Sequence, residues 1–159
     1  MIFIIQILLI LRYKKIENMK LKFLIIVTLF ICTWSELSSG EIKILVSNIE
    51  EKIGTIHYGV YNNSELFPKE SGKILGGYEE VSKVIKNGLL IGDLEESNYA
   101  IAIFHDKNSN KKFDTFFSIP KEKFGFSNNA RVFLGPPKFE DASIFVGKNS
   151  IVEIIIELR

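Results

Sequence analysis

From Glu41 onward, apolar and polar residues alternate with the period of two that is typical of β-strands. Two early strands are predicted to place their apolar side chains on one face each: Ile42, Ile44 and Val46 in the first, and Ile56, Tyr58 and Val60 in the second. His57 alternates with the apolar residues of the second strand, so we expect it to point outward and not to act as a ligand. A third strand, 99–104, is nearly apolar on both faces, which is typical of a central strand covered on both sides.

Two turn signals predict hairpins. Asn87-Gly88 is the type I′ turn sequence, and it predicts a hairpin with arms 81–86 and 89–94. A second hairpin is predicted between 142–146 and 151–158, around Gly147-Lys148-Asn149. Residues 62–77 contain asparagines, a proline and glycines, so we expect a loop there.

These elements define the expected fold. Six or seven short strands and no helical pattern of ten residues predict an all-β chain, an antiparallel β-sandwich of immunoglobulin-like or transthyretin-like type with one long ordered loop. A small barrel is the alternative. We expect residues 41–159 to form a single domain.

The N-terminal residues 1–40 have the pattern of a signal peptide region. Lys20 and Lys22 precede an apolar run, 23–32, and a polar segment that ends in small residues, so a start at Met19 and cleavage near Gly40 are expected. Cys32, the single cysteine, follows a bulky isoleucine, which favours cleavage over lipidation. The pattern predicts export to the periplasm, the cell surface or the medium; a tandem membrane anchor is the alternative.

Charge argues against a nucleic-acid partner. Five of the 20 Lys and Arg residues and two of the 19 Asp and Glu residues lie in residues 1–40, so the remaining domain has a net charge of about −2. A basic footprint for nucleic acid is therefore not expected. We expect an envelope or extracellular partner, and no stable membrane span in the mature form.

The segment 106–138 contains no credible strand or helix, yet it is rich in phenylalanine. A stretch of this length inside a compact domain is usually functional or disordered, and its apolar content argues against disorder. We expect it to fold against the sandwich with a small core of its own.

The same segment begins with oxygen-bearing side chains at the spacing of a calcium loop. The predicted ligands are side-chain oxygens and one backbone carbonyl, at Asp106, Asn108, Asn110, Lys112 (carbonyl) and Asp114. The match is partial, because Lys111 replaces the usual glycine and Phe117 replaces the bidentate glutamate, so Glu122 or water would complete the shell. The alternative is that these side chains only cap turns.

A family resemblance follows from the residues around this loop. The run YAIAIFHDKNSNKKFD and the later Phe124-Gly125-Phe126-Ser127-Asn128-Asn129 resemble the exported bacterial family catalogued as domain of unknown function 2141. The resemblance covers roughly residues 42–158, with Asn98 and Lys111 at two positions where glycine is usual. It implies an exported β-rich domain and supplies no known activity.

The sequence does not favour an enzyme. His105 and Asp106 are neighbours, but successive strand residues point to opposite faces, so they cannot form a dyad. The leading expectation is a binding or adhesion module of the cell envelope, and the alternative is a purely structural or assembly domain without an ion. Exposure of Phe116, Phe117, Phe124 and Phe126 would separate the two.

Overall fold

The computed structural model describes residues 39–117 and 119–159, and residues Ser38–Arg159 form one compact unit. The predicted signal region, the start at Met19 and the lipidation question at Cys32 lie outside the described residues. The compact unit has hydrophobic clusters of its own, built from residues between Ile42 and Leu158. A fragment 39–159 therefore contains a complete core. No helix in the described part of the chain is long and apolar enough to cross a bilayer.

Two sheets form the body of the unit. The three-stranded sheet has the order β10-β1-β4 and contains β1 (Gly40–Ser47), β4 (Leu89–Leu94) and β10 (Ile151–Glu157). The larger sheet has the order β3-β2-β5-β8, with β9 also on β5, and contains β2 (Thr55–Tyr61), β3 (Leu75–Glu80), β5 (Ser97–Asp106), β8 (Phe124–Phe126) and β9 (Ile144–Val146).

The remaining elements are short. A two-stranded ribbon is formed by β6 (Thr115–Phe116) and β7 (Ile119–Pro120). The helices are α1 (Val81–Asn87), α2 (Phe139–Ala142) and the 3₁₀ turns Glu70–Gly72 and Ser127–Asn129. The described chain is therefore mostly strand, as the sequence predicts.

The main core joins the two sheets. Ile42 and Ile44 of β1, Ile56 of β2 and Ile101 of β5 are fully buried in one cluster, to which α1 adds Val81 and Val84. The second cluster covers the opposite face of the larger sheet and includes Ala100 of β5. Strand β5 is thus buried on both faces, which confirms its predicted central position. The arrangement is an all-β, sandwich-like fold, and the sheets of the described residues end in edge strands instead of closing into the alternative small barrel.

The hairpin predicted at Asn87-Gly88 is wrong. The predicted first arm is the helix α1, whose buried Val81 and Val84 are three residues apart on one helical face. Gly88 follows it with φ 74°, and its N–H donates to the Val84 carbonyl. Glycine ends the helix here, because it adopts a positive φ without strain. The same property makes Asn-Gly a hairpin-turn sequence, so the two structures share one sequence signal.

The second predicted hairpin is also wrong, although both of its strands exist. β9 pairs antiparallel with β5 in the larger sheet, whereas β10 pairs parallel with β1 in the other sheet. The segment between them therefore crosses from one sheet to the other. The parallel β1–β10 pair is also a departure from a wholly antiparallel sandwich. Along β10 and just after it, Ile156 and Leu158 are buried, whereas Glu153 and Glu157 are exposed.

Four strands lie wholly or partly in segments that the sequence predicts to be irregular: β3, β8 and the two strands of the β6–β7 ribbon. β3 extends from the predicted loop and pairs with β2, and it contains Gly76 and Gly77, which have low strand propensity. A Cβ on Gly77 would lie 2.7 Å from the Tyr58 hydroxyl oxygen, so a larger residue there would have to displace the Tyr58 side chain. β8 lies within the predicted irregular stretch 106–138 and pairs with β5.

Candidate metal site

Strand β5 delivers Asp106 to the base of the long loop. Asp106 is fully buried, and its two carboxylate oxygens accept hydrogen bonds from the chain that follows. Oδ1 accepts the Asn110 N–H at 3.1 Å, and Oδ2 accepts the Lys111 N–H at 2.7 Å. The end of the strand and the turn of the loop are therefore held by one carboxylate.

The two asparagines continue the same pattern of turns. Asn108 Oδ1 accepts the Asn110 N–H at 3.0 Å, and Asn110 Oδ1 accepts the Lys112 N–H at 2.8 Å. Both side-chain amides donate to Asp114 Oδ2, at 2.8 and 3.0 Å. The structure thus brings together the predicted side chains of Asp106, Asn108, Asn110 and Asp114, and the turn-capping contacts of the alternative reading are present.

The loop also has the backbone shape that the predicted calcium spacing requires. Lys111 has φ 63°, the left-handed conformation for which that position favours glycine. Lysine adopts it here at some cost in backbone strain, supported by its N–H bond to Asp106. Lys112, predicted to contribute its carbonyl, is held through its N–H to Asn110 and has an exposed side chain.

Glu122 reaches the cluster from beyond the β6–β7 ribbon. The Lys121 N–H donates to the Asp114 carbonyl at 2.9 Å, and the Asp114 N–H donates to Glu122 Oε2 at 3.0 Å. Glu122 is only 7% exposed, and its Oε1 is buried without a hydrogen-bond partner. A carboxylate oxygen in this state is costly unless a cation or a proton compensates it.

Charge around Glu122 indicates the same need. Burial raises the pKa of the Glu122 carboxyl, and the nearby Asp106 and Asp114 carboxylates raise this pKa further, partly offset by the N–H groups of Asp114 and, more weakly, Lys107. No three His, Cys, Asp or Glu side chains of the described residues are already grouped as a metal site. The three carboxylates and two asparagine oxygens are linked through hydrogen bonds without converging on one point, and oxygen donors of this kind suit a hard cation.

His57 lies against this cluster, a contact that the sequence analysis missed. Its Nε2 is 3.2 Å from Asp106 Oδ2 and 3.1 Å from Thr55 Oγ1, and its ring stacks between Tyr78 and Phe104. Burial lowers the His57 pKa, and the attraction of Asp106 opposes this effect only in part. As predicted, His57 lies on the face of β2 opposite the main core. The side chain is nevertheless only 12% exposed, because the loop covers that face.

Register explains why this pair was not found. Thr55 of β2 is opposite Asp106 of β5, so His57 is the diagonal neighbour of Asp106 on the same face. The adjacent His105 points to the other face, where its Nε2 contacts the Ile53 carbonyl at 2.7 Å. The expectation that His105 and Asp106 do not form a dyad is therefore confirmed.

The aromatic residues of the loop divide into an anchored set and an exposed set. Phe113 packs between Phe104 and Phe124, with ring centroids 5.3 and 5.7 Å away. Phe126 is buried and Phe124 half-buried, whereas Phe116 and Phe117 are exposed. One part of the loop is therefore core, and the β6–β7 ribbon presents apolar side chains to solvent.

Comparison with known proteins identifies the family of the chain. A family model described as an uncharacterized protein conserved in bacteria (DUF2141) matches residues 44–153. No curated protein matches the chain, and no solved structure matches it. The matched segment covers more than half of the chain and includes the whole cluster around Asp106. The chain belongs to this family, as its resemblance predicts.

Proposed function

We propose that this family member is an exported binding domain of the cell envelope, and that one calcium ion sets the shape of its 106–122 loop. The observation that carries the proposal is Glu122 Oε1, a buried oxygen without a partner beside two further carboxylates. A cation at this point would compensate all three charges. Without an ion, only a proton or the approaching Lys107 N–H would compensate this oxygen.

The donors match calcium better than other common ions. Calcium takes six to eight oxygen ligands in flexible geometry, whereas magnesium requires near-ideal octahedral geometry and retains several waters. Asp106, Asn108, Asn110, Asp114 and Glu122 provide side-chain oxygens, and Lys112 would add its carbonyl. Each asparagine oxygen that accepts one N–H retains a second lone pair for an ion. Because two of the ligands are neutral asparagines and the match to a calcium loop is partial, we expect weak binding, with a Kd on the order of 10⁻⁴–10⁻³ M as in extracellular modules.

Exposure of the ribbon supports binding over a purely structural role. Phe116 is 57% exposed and Phe117 is 86% exposed, although Phe124 and Phe126 are packed. A structural domain with a fully packed loop would bury all four. An exposed apolar tip on an ordered base is typical of an interaction site.

Thermal unfolding of the fragment 39–159 tests the ion. The melting temperature is measured in calcium, in magnesium and in chelator, for the wild type, for Asp114→Ala and for Glu96→Ala, an exposed glutamate outside the cluster. We expect calcium to raise the midpoint of the wild type and of Glu96→Ala, and to leave Asp114→Ala unchanged. Equal midpoints of the wild type in calcium and chelator would reject the ion and favour turn capping.

Export has a separate test. The signal-like pattern of residues 19–40 supports a mature chain that begins near Glu41. N-terminal sequencing of the protein from the envelope or secreted fraction should find that start. An intact Met1 in that fraction would contradict export by cleavage.

A further inference from the structure

The β6–β7 ribbon places three large apolar side chains in water. Phe116, Phe117 and Ile119 are 57%, 86% and 67% exposed, and the ribbon is held by the Phe116–Ile119 and Thr115–Pro120 pairs. Phe117 contacts the ring of Phe116 edge-on, with centroids 4.6 Å apart. Surface apolar residues usually occur singly, so a cluster of this kind marks a contact with an apolar phase.

One lysine contacts this apolar tip, and two more lie on the turn that precedes it. Lys121 Nζ is 5.2 Å from the centre of the Phe116 ring; Lys111 and Lys112 have exposed side chains, and Lys111 Nζ is 5.0 Å from the centre of the Tyr78 ring. Among the described residues these lysines form no ion pair, whereas Lys107 and Lys123 are paired with Glu51 and Glu50. Aromatic residues next to basic side chains are the combination found where proteins meet the interface of an anionic membrane.

The charge of the loop depends on the proposed ion. The 106–122 loop has four lysines and three carboxylates, but Lys107 is paired with Glu51, so the other three lysines balance Asp106, Asp114 and Glu122 and the calcium-free loop is close to neutral. One calcium ion would make it about +2, although the domain as a whole is slightly acidic. Each basic charge near an anionic bilayer is worth about 1 kcal/mol, which is about fivefold in binding, so calcium would strengthen attraction about 25-fold.

The β6–β7 ribbon is joined to the carboxylate cluster at both of its ends. Thr115 follows Asp114 directly, and the Lys121 N–H closes the ribbon onto the Asp114 carbonyl. Glu122 then enters the cluster one residue later. An ion that draws Asp114 and Glu122 together therefore fixes both ends of the ribbon.

We infer that the β6–β7 ribbon docks into the interface of an anionic lipid bilayer, and that calcium at the 106–122 loop promotes this docking. The inference rests on the proposed calcium function. Phe116, Phe117 and Ile119 enter the headgroup region, while Lys111, Lys112 and Lys121 contact anionic headgroups. The domain would thus attach to a membrane surface without a spanning helix.

A single tryptophan tests the contact directly. The only tryptophan of the chain is Trp34, so the fragment 39–159 has none, and Phe117→Trp introduces a unique fluorophore at the tip. The matched control is Phe145→Trp, because Phe145 is 59% exposed, stands between the buried Ile144 and Val146 of β9 and lies outside the ribbon. Both are titrated with vesicles of phosphatidylglycerol and phosphatidylcholine, or of phosphatidylcholine alone, in calcium and in chelator. Brominated lipids report insertion by quenching.

We expect a blue shift and bromine quenching for Phe117→Trp with anionic vesicles in calcium, at least tenfold weaker binding in chelator, and no shift for Phe145→Trp. Vesicle sedimentation should show the same loss for Phe116→Ser/Phe117→Ser. Equal shifts at both tryptophans, or equal binding in chelator, would overturn the inference.

Thermal unfolding separates this inference from the proposed function. If calcium still raises the melting temperature but no vesicle binds, the membrane inference fails and the calcium proposal stands. A protein partner then becomes the explanation of the exposed tip. If calcium has no thermal effect, the proposed function itself has failed.

Discussion

Glu122→Gln should stabilise the calcium-free protein and should gain less from calcium than the wild type does. The change keeps the size of the side chain and an oxygen to accept the Asp114 N–H, but it removes a buried negative charge that lies near the Asp106 and Asp114 carboxylates. Loss of hydration and repulsion by like charges disfavour a buried carboxylate by about 1–3 kcal/mol. In chelator, the variant should therefore be more stable than the wild type by about 1–2 kcal/mol.

Calcium should reduce or reverse that advantage. At a calcium concentration of 100 times its Kd, an ion that binds only the folded state adds about 2.7 kcal/mol to the wild type. If the loss of one charged ligand weakens binding about tenfold, the same calcium adds only about 1.4 kcal/mol to the variant. The difference between the two responses, about 1.3 kcal/mol, is the quantity to measure.

Urea unfolding of the fragment 39–159, followed by circular dichroism in calcium and in chelator, gives both numbers. Glu96→Gln is the matched control, because Glu96 is exposed, and its two unfolding curves should follow those of the wild type. Two results would refute the reasoning: a Glu122→Gln variant that is less stable than the wild type in chelator, or one that gains as much from calcium.

Three further predictions concern individual side chains. Asp106→Ala should destabilise the calcium-free domain by about 2–3 kcal/mol in urea, because the Asn110 and Lys111 N–H groups and His57 lose their partner; a loss below about 1 kcal/mol would contradict this. Gly88→Val should cost at least about 2 kcal/mol, because Gly88 has φ 74° and its new Cβ would lie 2.6 Å from the Ile44 carbonyl oxygen; an unchanged melting midpoint would count against the observed helix end. Burial, with a smaller contribution from Glu70, raises the pKa of the Tyr61 phenol above its ordinary value of 10.0. The neutral phenol therefore contributes to the free energy of unfolding in full below pH 10, and this contribution is lost as pH rises through the folded-state pKa. Tyr61→Phe should therefore lose less stability than the wild type in alkaline unfolding curves, and identical pH dependence would refute that assignment.

The alternation of apolar residues predicted β1, β2 and β5 well. Side chains of a strand point alternately to its two faces, so a face that packs in a core produces an apolar residue at every second position. Ile42, Ile44 and Ile56 are all fully buried. Segment 81–88 was ambiguous in principle, since two valines three residues apart fit one helical turn, and Asn-Gly suits both a hairpin and a helix end. The pairing partner of β10 depends on contacts more than a hundred residues away in sequence, such as Ile42 with Val152, which no local pattern encodes.

The candidate site was partly predictable for the same reason. Asp106, Asn108, Asn110 and Asp114 are close in sequence, so their spacing alone brought them together. Glu122 could be named only as one option, because its approach depends on the ribbon between Asp114 and Lys121. His57 was missed because only the register of β2 on β5 places it beside Asp106.

The most direct test of the account is a calcium titration of the isotope-labelled fragment 39–159 by amide NMR. We predict saturable shifts centred on Asn110, Lys111, Asp114 and Glu122, with one Kd on the order of 10⁻⁴–10⁻³ M and an about tenfold weaker Kd in Glu122→Gln. Shifts that do not saturate, or that spread equally over exposed acidic residues such as Glu96 and Glu140, would contradict a calcium site at this loop.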